Sequence, residues 1–127
     1  MKQRIFQLIL ALPAALFLFT GVRWLVDPAA VAPQFGFELG IGLGLSTQIG
    51  DLSAFFLTLG GTIVVALVTG QRAWYYPAVA LLSLAAVGRT VAWLFHGAEL
   101  TPLIAFEVVV AALLLWAALR RDEAPAD

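Results

Sequence analysis

Arg89 and Glu107 are opposite charges set inside otherwise unbroken apolar runs, VALLSLAAVGRTVAWLF and LIAFEVVVAALLLW. An ionisable side chain in hydrocarbon costs between about 2.5 kcal/mol on insertion scales and more than ~10 kcal/mol in simulations, so each marks a candidate site by default. A cation and an anion brought to one depth can orient a polar headgroup or a carbonyl, hold a proton, or lock two helices in register. Other chemistry is poorly supplied. The chain has no cysteine, which removes disulfides, thiolate nucleophiles and Cys-ligated clusters. His96 and Glu99 have the His-x-x-Glu spacing of some metal sites, but His96 is the one histidine and the pair straddles a Gly-containing turn, so no metal is expected. Ser46, Ser53 and Ser83 lack the elbow or the base that would make a nucleophile. No catalytic residue and no cofactor is assigned.

The elements that must position the pair follow from composition. The chain of 127 residues is 62% hydrophobic and only 12% charged, against roughly 25% charged in soluble domains. Four apolar runs, 5–26, 52–69, 74–95 and 100–119, each approach the ~20 residues that cross a ~30 Å hydrocarbon core. Only helices satisfy every backbone group within one spanning segment, so the expected fold is all-α: a single transmembrane domain, 1–127, closed as an antiparallel four-helix bundle. Residues Lys2 and Arg4 before an apolar stretch, with Ala30-Val31-Ala32 after it, also resemble a secretory signal. The run is longer than the ~7–15 residues of a signal core, and Arg23 and Asp27 intervene, so the first segment is expected to stay attached. A net charge of −1 without a basic stripe sets nucleic acid aside as a partner.

Lys2, Arg4, Arg72, Arg120 and Arg121 flank one set of segment ends, while the connections 27–51 and 96–99 contain neither Lys nor Arg. Positive residues stay in the cytoplasm, so both termini are expected there, in the cell inner membrane. Trp74, Tyr75, Tyr76 and Trp116 would then belong to the inner interface, and Trp24 and Trp93 to the outer one. In the outer connection, Asp27-Pro28 and Pro33 stop the first helix, and Gly36, Gly40, Gly42, Gly44 and Gly50 loosen the remainder of the segment. Its Phe35, Phe37, Leu39, Ile41, Leu43 and Leu45 are apolar. Two conformations are open for 28–50: a partly re-entrant flap over the outer mouth, or a surface-lying loop or short amphipathic helix.

At ~1.5 Å rise per residue, Arg89 and Glu107 each fall roughly 10 Å below the outer interface, on consecutive antiparallel helices. Helical spacing adds Trp93 and His96 to the face of Arg89, sets Asp51 with Phe55, Thr58 and Thr62, and sets Arg23 with Thr20 and Asp27. All four helices would thus direct polar groups to one outward-opening pocket. The inner halves, 5–18 and 63–68 for example, are apolar, which favours a site over a channel. Structural readings stand beside these: an interhelical lock for Arg89 and Glu107, snorkelling for Arg23, a helix N-cap or first-turn carboxylate for Asp51, and close helix packing at Gly60-Gly61-Thr62 with Ala66.

Asp27-Pro28 after the first span, Gly60-Gly61 in the second, Gly88-Arg89 in the third and a lone Glu107 in the fourth resemble the uncharacterised small bacterial membrane families related to DoxX-like proteins. The resemblance covers most of the chain. It departs at the second span, where Asp51 stands near the position at which such relatives often carry a basic residue. DoxX-like proteins have been linked to quinone-associated redox complexes, so the resemblance implies an accessory, membrane-embedded role.

The leading expectation is a binding or accessory module, more readily than an enzyme. Arg89, Glu107, Trp93, His96, Arg23 and Asp51 would form an outer-leaflet pocket for a membrane lipid, a quinone-like amphipathic molecule or a partner helix. The alternatives are a proton-coupled small-molecule transporter using Glu107, oligomeric given its size, and a purely structural subunit of a larger membrane complex. An enzyme would have to use Arg89, Glu107, Asp51 and His96 as acid and base, with no substrate indicated.

Overall fold

The computed structural model describes residues 1–120, so Arg121 lies outside the described residues. Every regular element among them is helical: α1 (Lys2–Val26), α2 (Pro28–Val31), α3 (Gly42–Thr69), α4 (Tyr75–His96) and α5 (Leu103–Leu119), with 3₁₀ turns at Ala32–Phe35 and Arg72–Trp74. Three helical stretches, Lys2–Val26, Gly42–Thr69 and Arg72–His96, are long and apolar enough to cross a membrane; Leu103–Leu119 is apolar but shorter, at 17 residues. The protein therefore has the build of a membrane protein, and its surface agrees. Leu8, Leu12, Val68, Leu84, Phe95 and Val109 are all exposed, as side chains are when acyl chains rather than water surround them.

Helix α1 lies along α3, and α4 lies along α5, with α3 and α4 joining the two pairs. Small residues set the first contact. A Cβ on Gly60 would lie 2.7 Å from Leu18 Cγ and 2.8 Å from the Ala14 carbonyl oxygen, and one on Gly21 would lie 2.7 Å from Leu57 Cγ and 3.0 Å from the Leu57 nitrogen. Hydrogen at these two positions lets the backbones approach, which is how membrane helices associate where burial from water supplies no drive. Gly61 faces open space, so the close-packing role expected of the Gly60-Gly61 pair belongs to Gly60 alone. Between the pairs, Leu10, Leu59, Ile63, Leu82 and Leu114 are wholly or almost wholly buried. Phe17 meets Phe106 and Phe6 meets Trp116, which brings α1 against α5.

The connection after α1 differs from the expected loop. Only Gly36 and Gly42 in the glycine-rich tract adopt positive φ, 76° and 56°. Gly44 and Gly50 are ordinary helical residues, and α3 begins at Gly42 instead of near residue 52. Glycine is a weak helix former, but in this tract the tertiary setting overrides propensity. The shorter loop that is left turns back over the bundle end: α2 buries Val31, Phe35 packs on Trp24 and Phe56, and Phe37 on Trp24. Gln48 holds the segment from α3, its Oε1 accepting from the Gly40 N–H at 2.7 Å and its Nε2 donating to the Glu38 carbonyl at 3.0 Å.

Three sequence expectations fail here. Tyr75, expected in the inner aromatic belt, is 7% exposed and belongs to the core. Asp51 lies well inside α3, so it is neither an N-cap nor a first-turn residue. Trp24 is 0% exposed, so it is a core residue and not part of an interfacial aromatic belt.

Candidate functional site

The α4–α5 hairpin carries the ion pair. Helix α4 ends on Gly97, whose φ of 71° is the left-handed conformation a glycine adopts without strain, and the Ala98 N–H reaches back to the Ala92 carbonyl at 3.1 Å. Thr101 Oγ1 then accepts from the Leu103 N–H at 3.2 Å as α5 starts. This short return places Arg89, about two turns before the end of α4, opposite Glu107, about one turn into α5.

The two side chains meet. Arg89 Nε donates to Glu107 Oε1 at 2.7 Å, and the contact is asymmetric: the arginine side chain is 37% exposed and the glutamate side chain 8%. Glu107 Oε2 is buried and makes no hydrogen bond among the described residues. The carboxylate thus points into protein, while the far end of the guanidinium emerges. A carboxylate so placed gains one strong charge-assisted bond and leaves its other oxygen unsatisfied, an arrangement costly for mere packing. The indole Nε1 of Trp24 is also buried without a partner among the described residues.

The wider pocket expected from the sequence does not assemble. Trp93 is 41% exposed and His96 is exposed at the end of α4, with no hydrogen bond or ring contact among the described residues joining either to Arg89. Arg23 is engaged within its own end of the chain, donating from Nη1 to Gln34 Oε1 at 3.4 Å and lying 5.5 Å from the Phe19 ring centroid. Asp51 is exposed. Thr20, Thr62 and Thr90 direct their hydroxyls to carbonyls of their own helices, Leu16, Thr58 and Ala86. A helix satisfies a threonine hydroxyl locally, so helical spacing alone does not aim it at a neighbouring helix.

Instead, the structure opens a groove of about 500 Å³ between α4 and α5. Val79, Ser83, Thr90 and Leu94 line one wall; Ile104, Ala112 and Leu115 line the other. Its floor contains Ala86 and Ala111, both nearly buried. Neither member of the ion pair lines the groove, although Arg89 and Glu107 immediately precede the lining residues Thr90 and Val108. The signal that could have found it is the i, i+4, i+7 run of Val79, Ser83 and Ala86, small residues at helical spacing. Among the described residues no group of three or more His, Cys, Asp or Glu is placed to hold a metal ion. Compared with protein-family models, curated proteins and solved structures, the chain matches none.

Proposed function

We propose that the protein binds one amphipathic, lipid-like or quinone-like molecule along the α4–α5 hairpin and acts as a binding or accessory module in the membrane. The observation that carries this reading is the apolar groove of about 500 Å³ between α4 and α5, the two helices that the partly exposed Arg89 and Glu107 join. Ligand pockets are predominantly apolar with few polar groups, and they fall between helices in bundles. The tail would lie against Val79, Leu94, Ile104 and Leu115. Arg89, anchored through Nε by Glu107, would offer its terminal nitrogens to a headgroup or carbonyl.

This reading takes α5 as a fourth span. Its 17 residues rise roughly 25 Å and fall at the short end of the ~17–25 residues that cross a bilayer. It also takes both termini as cytoplasmic in a bacterial inner membrane, from the basic residues at one end of the bundle, and takes the chain as DoxX-like. Arg89 and Glu107 then lie in the outer leaflet. The test is to extract purified protein and quantify bound lipid and quinone. Arg89→Ala lowers the yield, and Ala112→Phe, which fills the groove, lowers it further while circular dichroism stays unchanged. Equal ligand content in wild type and Ala112→Phe would end the proposal.

One observation favours the rival transporter reading: Oε2 of Glu107 is buried with no hydrogen bond among the described residues, and carboxylates inside membrane spans commonly mark ion and proton pathways. Proteoliposome uptake driven by a proton gradient and abolished in Glu107→Gln would select it, and uptake indifferent to that change would remove it.

A further inference from the structure

Ser83 and Thr90 are the two hydroxyl-bearing residues that line the α4–α5 groove, and valine, leucine, isoleucine and alanine make up the rest of the lining. Their hydroxyls are used differently. Thr90 Oγ1 donates to the Ala86 carbonyl at 2.8 Å, as Thr20, Thr62 and Thr69 donate to the carbonyls of Leu16, Thr58 and Val65. A bond of this kind, one turn back, satisfies a hydroxyl within its own helix. Ser83 makes no hydrogen bond among the described residues. It is exposed on the groove wall, inside the Arg72–His96 stretch that is apolar enough to cross a membrane. Along α4 it lies about 12 Å from Tyr75 and about 20 Å from His96, far from either end of the helix. Acyl chains offer it no partner there, and an unpaired hydroxyl in hydrocarbon is costly.

We infer that Ser83 selects the ligand of this groove: a lipid-like molecule that carries an oxygen function, a ketone or a hydroxyl, part-way along its apolar body. The inference rests on the reading that the groove holds an amphipathic molecule with its headgroup toward Arg89. Ser83 stands six residues before Arg89, about 9 Å further along the axis. At that distance from the headgroup the chains of an ordinary phospholipid present only methylene groups. A ketone oxygen at that depth accepts from the Ser83 hydroxyl, and a ligand hydroxyl donates to it or accepts from it. Beyond Ser83 the walls are again apolar at Val79 and Leu115, so the polar contact is confined to one depth.

The test uses the full chain in neutral detergent, offered stearic acid or a series of monohydroxystearic acids with the hydroxyl moved along the chain, and read by native mass spectrometry. Wild type retains one positional isomer about fivefold better than stearic acid, the effect of one hydrogen bond between neutral groups. Ser83→Ala loses that preference and holds stearic acid as well as wild type does. Because Ser83 is exposed and alanine is a good helix former, this change leaves the packing intact. Ala112→Phe, which fills the groove, lowers the retention of every acid in the series. Equal retention of all the acids by wild type overturns the inference, as does a preference that persists in Ser83→Ala; a groove that still responds to Ala112→Phe then survives without it. Retention indifferent to Ala112→Phe removes the groove as the binding site and the role of Ser83 with it.

Discussion

Removing either half of the Arg89–Glu107 pair should cost unequal amounts, and the inequality follows from where each charge ends. Breaking a buried pair from one side costs about 3–5 kcal/mol, because the survivor is stranded, whereas exposed pairs are worth about 0–1 kcal/mol. Glu107 belongs to the first case, with its side chain 8% exposed and Oε2 already without a partner among the described residues. Arg89→Met removes the one side-chain hydrogen bond Glu107 makes among the described residues and should destabilise the protein by about 3 kcal/mol. Glu107→Gln is milder. The amide oxygen still accepts from Nε, and a guanidinium 37% exposed can turn to water or headgroups, so about 1 kcal/mol or less is expected. The double change Arg89→Met with Glu107→Leu should return to within about 1 kcal/mol of wild type, since no charge is left buried. Reversible unfolding in mixed micelles with a rising dodecyl sulfate fraction, followed by circular dichroism, measures all three. Equal costs for the two single changes, or a larger cost for Glu107→Gln, would refute the burial argument. A double variant no better than Arg89→Met would refute the stranded-carboxylate argument.

Other perturbations read the scaffold. Gly60→Ala places a methyl against the Ala14 carbonyl, which is backbone and cannot swing aside, so a loss of about 1–3 kcal/mol is expected in the same unfolding assay. Gly61→Ala, with nothing within 4 Å, should change stability by less than about 0.5 kcal/mol; a similar cost at both positions would show that α1 and α3 are not held by close approach at Gly60. Gln48→Leu removes both bonds that tie residues 38–40 to α3. Loss of about 1.4 kcal/mol of local stability gives roughly tenfold faster hydrogen exchange at the Gly40 amide, and an unchanged rate would show that the segment is held by its aromatic contacts alone.

The parts legible from sequence were those fixed by arithmetic along a helix. Arg89 and Glu107 meet because a short turn between antiparallel helices equates distance from the turn with depth, and the Gly-containing turn at 96–99 is visible in the sequence. The start of α3 was not legible. Gly42, Gly44 and Gly50 argue against a helix by propensity, and nothing in their local sequence announces that Gln48 will bind Gly40 or that Phe35 will cover Phe56. Asp51 was misread for the same reason, since an N-cap assignment needs the helix boundary first. Trp24 was misread because an aromatic near a span end is amphipathic in principle, whereas the segment returning after α2 packs Phe35 and Phe37 on it. The groove between α4 and α5 escaped notice because a gap is a property of two surfaces together.

The contrast between the two helix pairs links fold to site. Where α1 meets α3, glycine at positions 21 and 60 lets the backbones close against each other's side chains. Where α4 meets α5, alanines at 86 and 111 form a floor, but Val79, Leu94, Ile104 and Leu115 spread above it. The first pair is closely packed, and the second leaves apolar walls with unmade dispersion contacts, which a ligand tail would supply in the proposed function. The ion pair joins the same two helices: it ties α4 to α5 through Nε and Oε1, and under the proposed function the exposed part of the guanidinium would meet a headgroup. A lock made for packing alone would bury both partners and satisfy both carboxylate oxygens. In this hairpin the arginine side chain stays 37% exposed, which leaves it open to the second partner that the proposed function assigns to it.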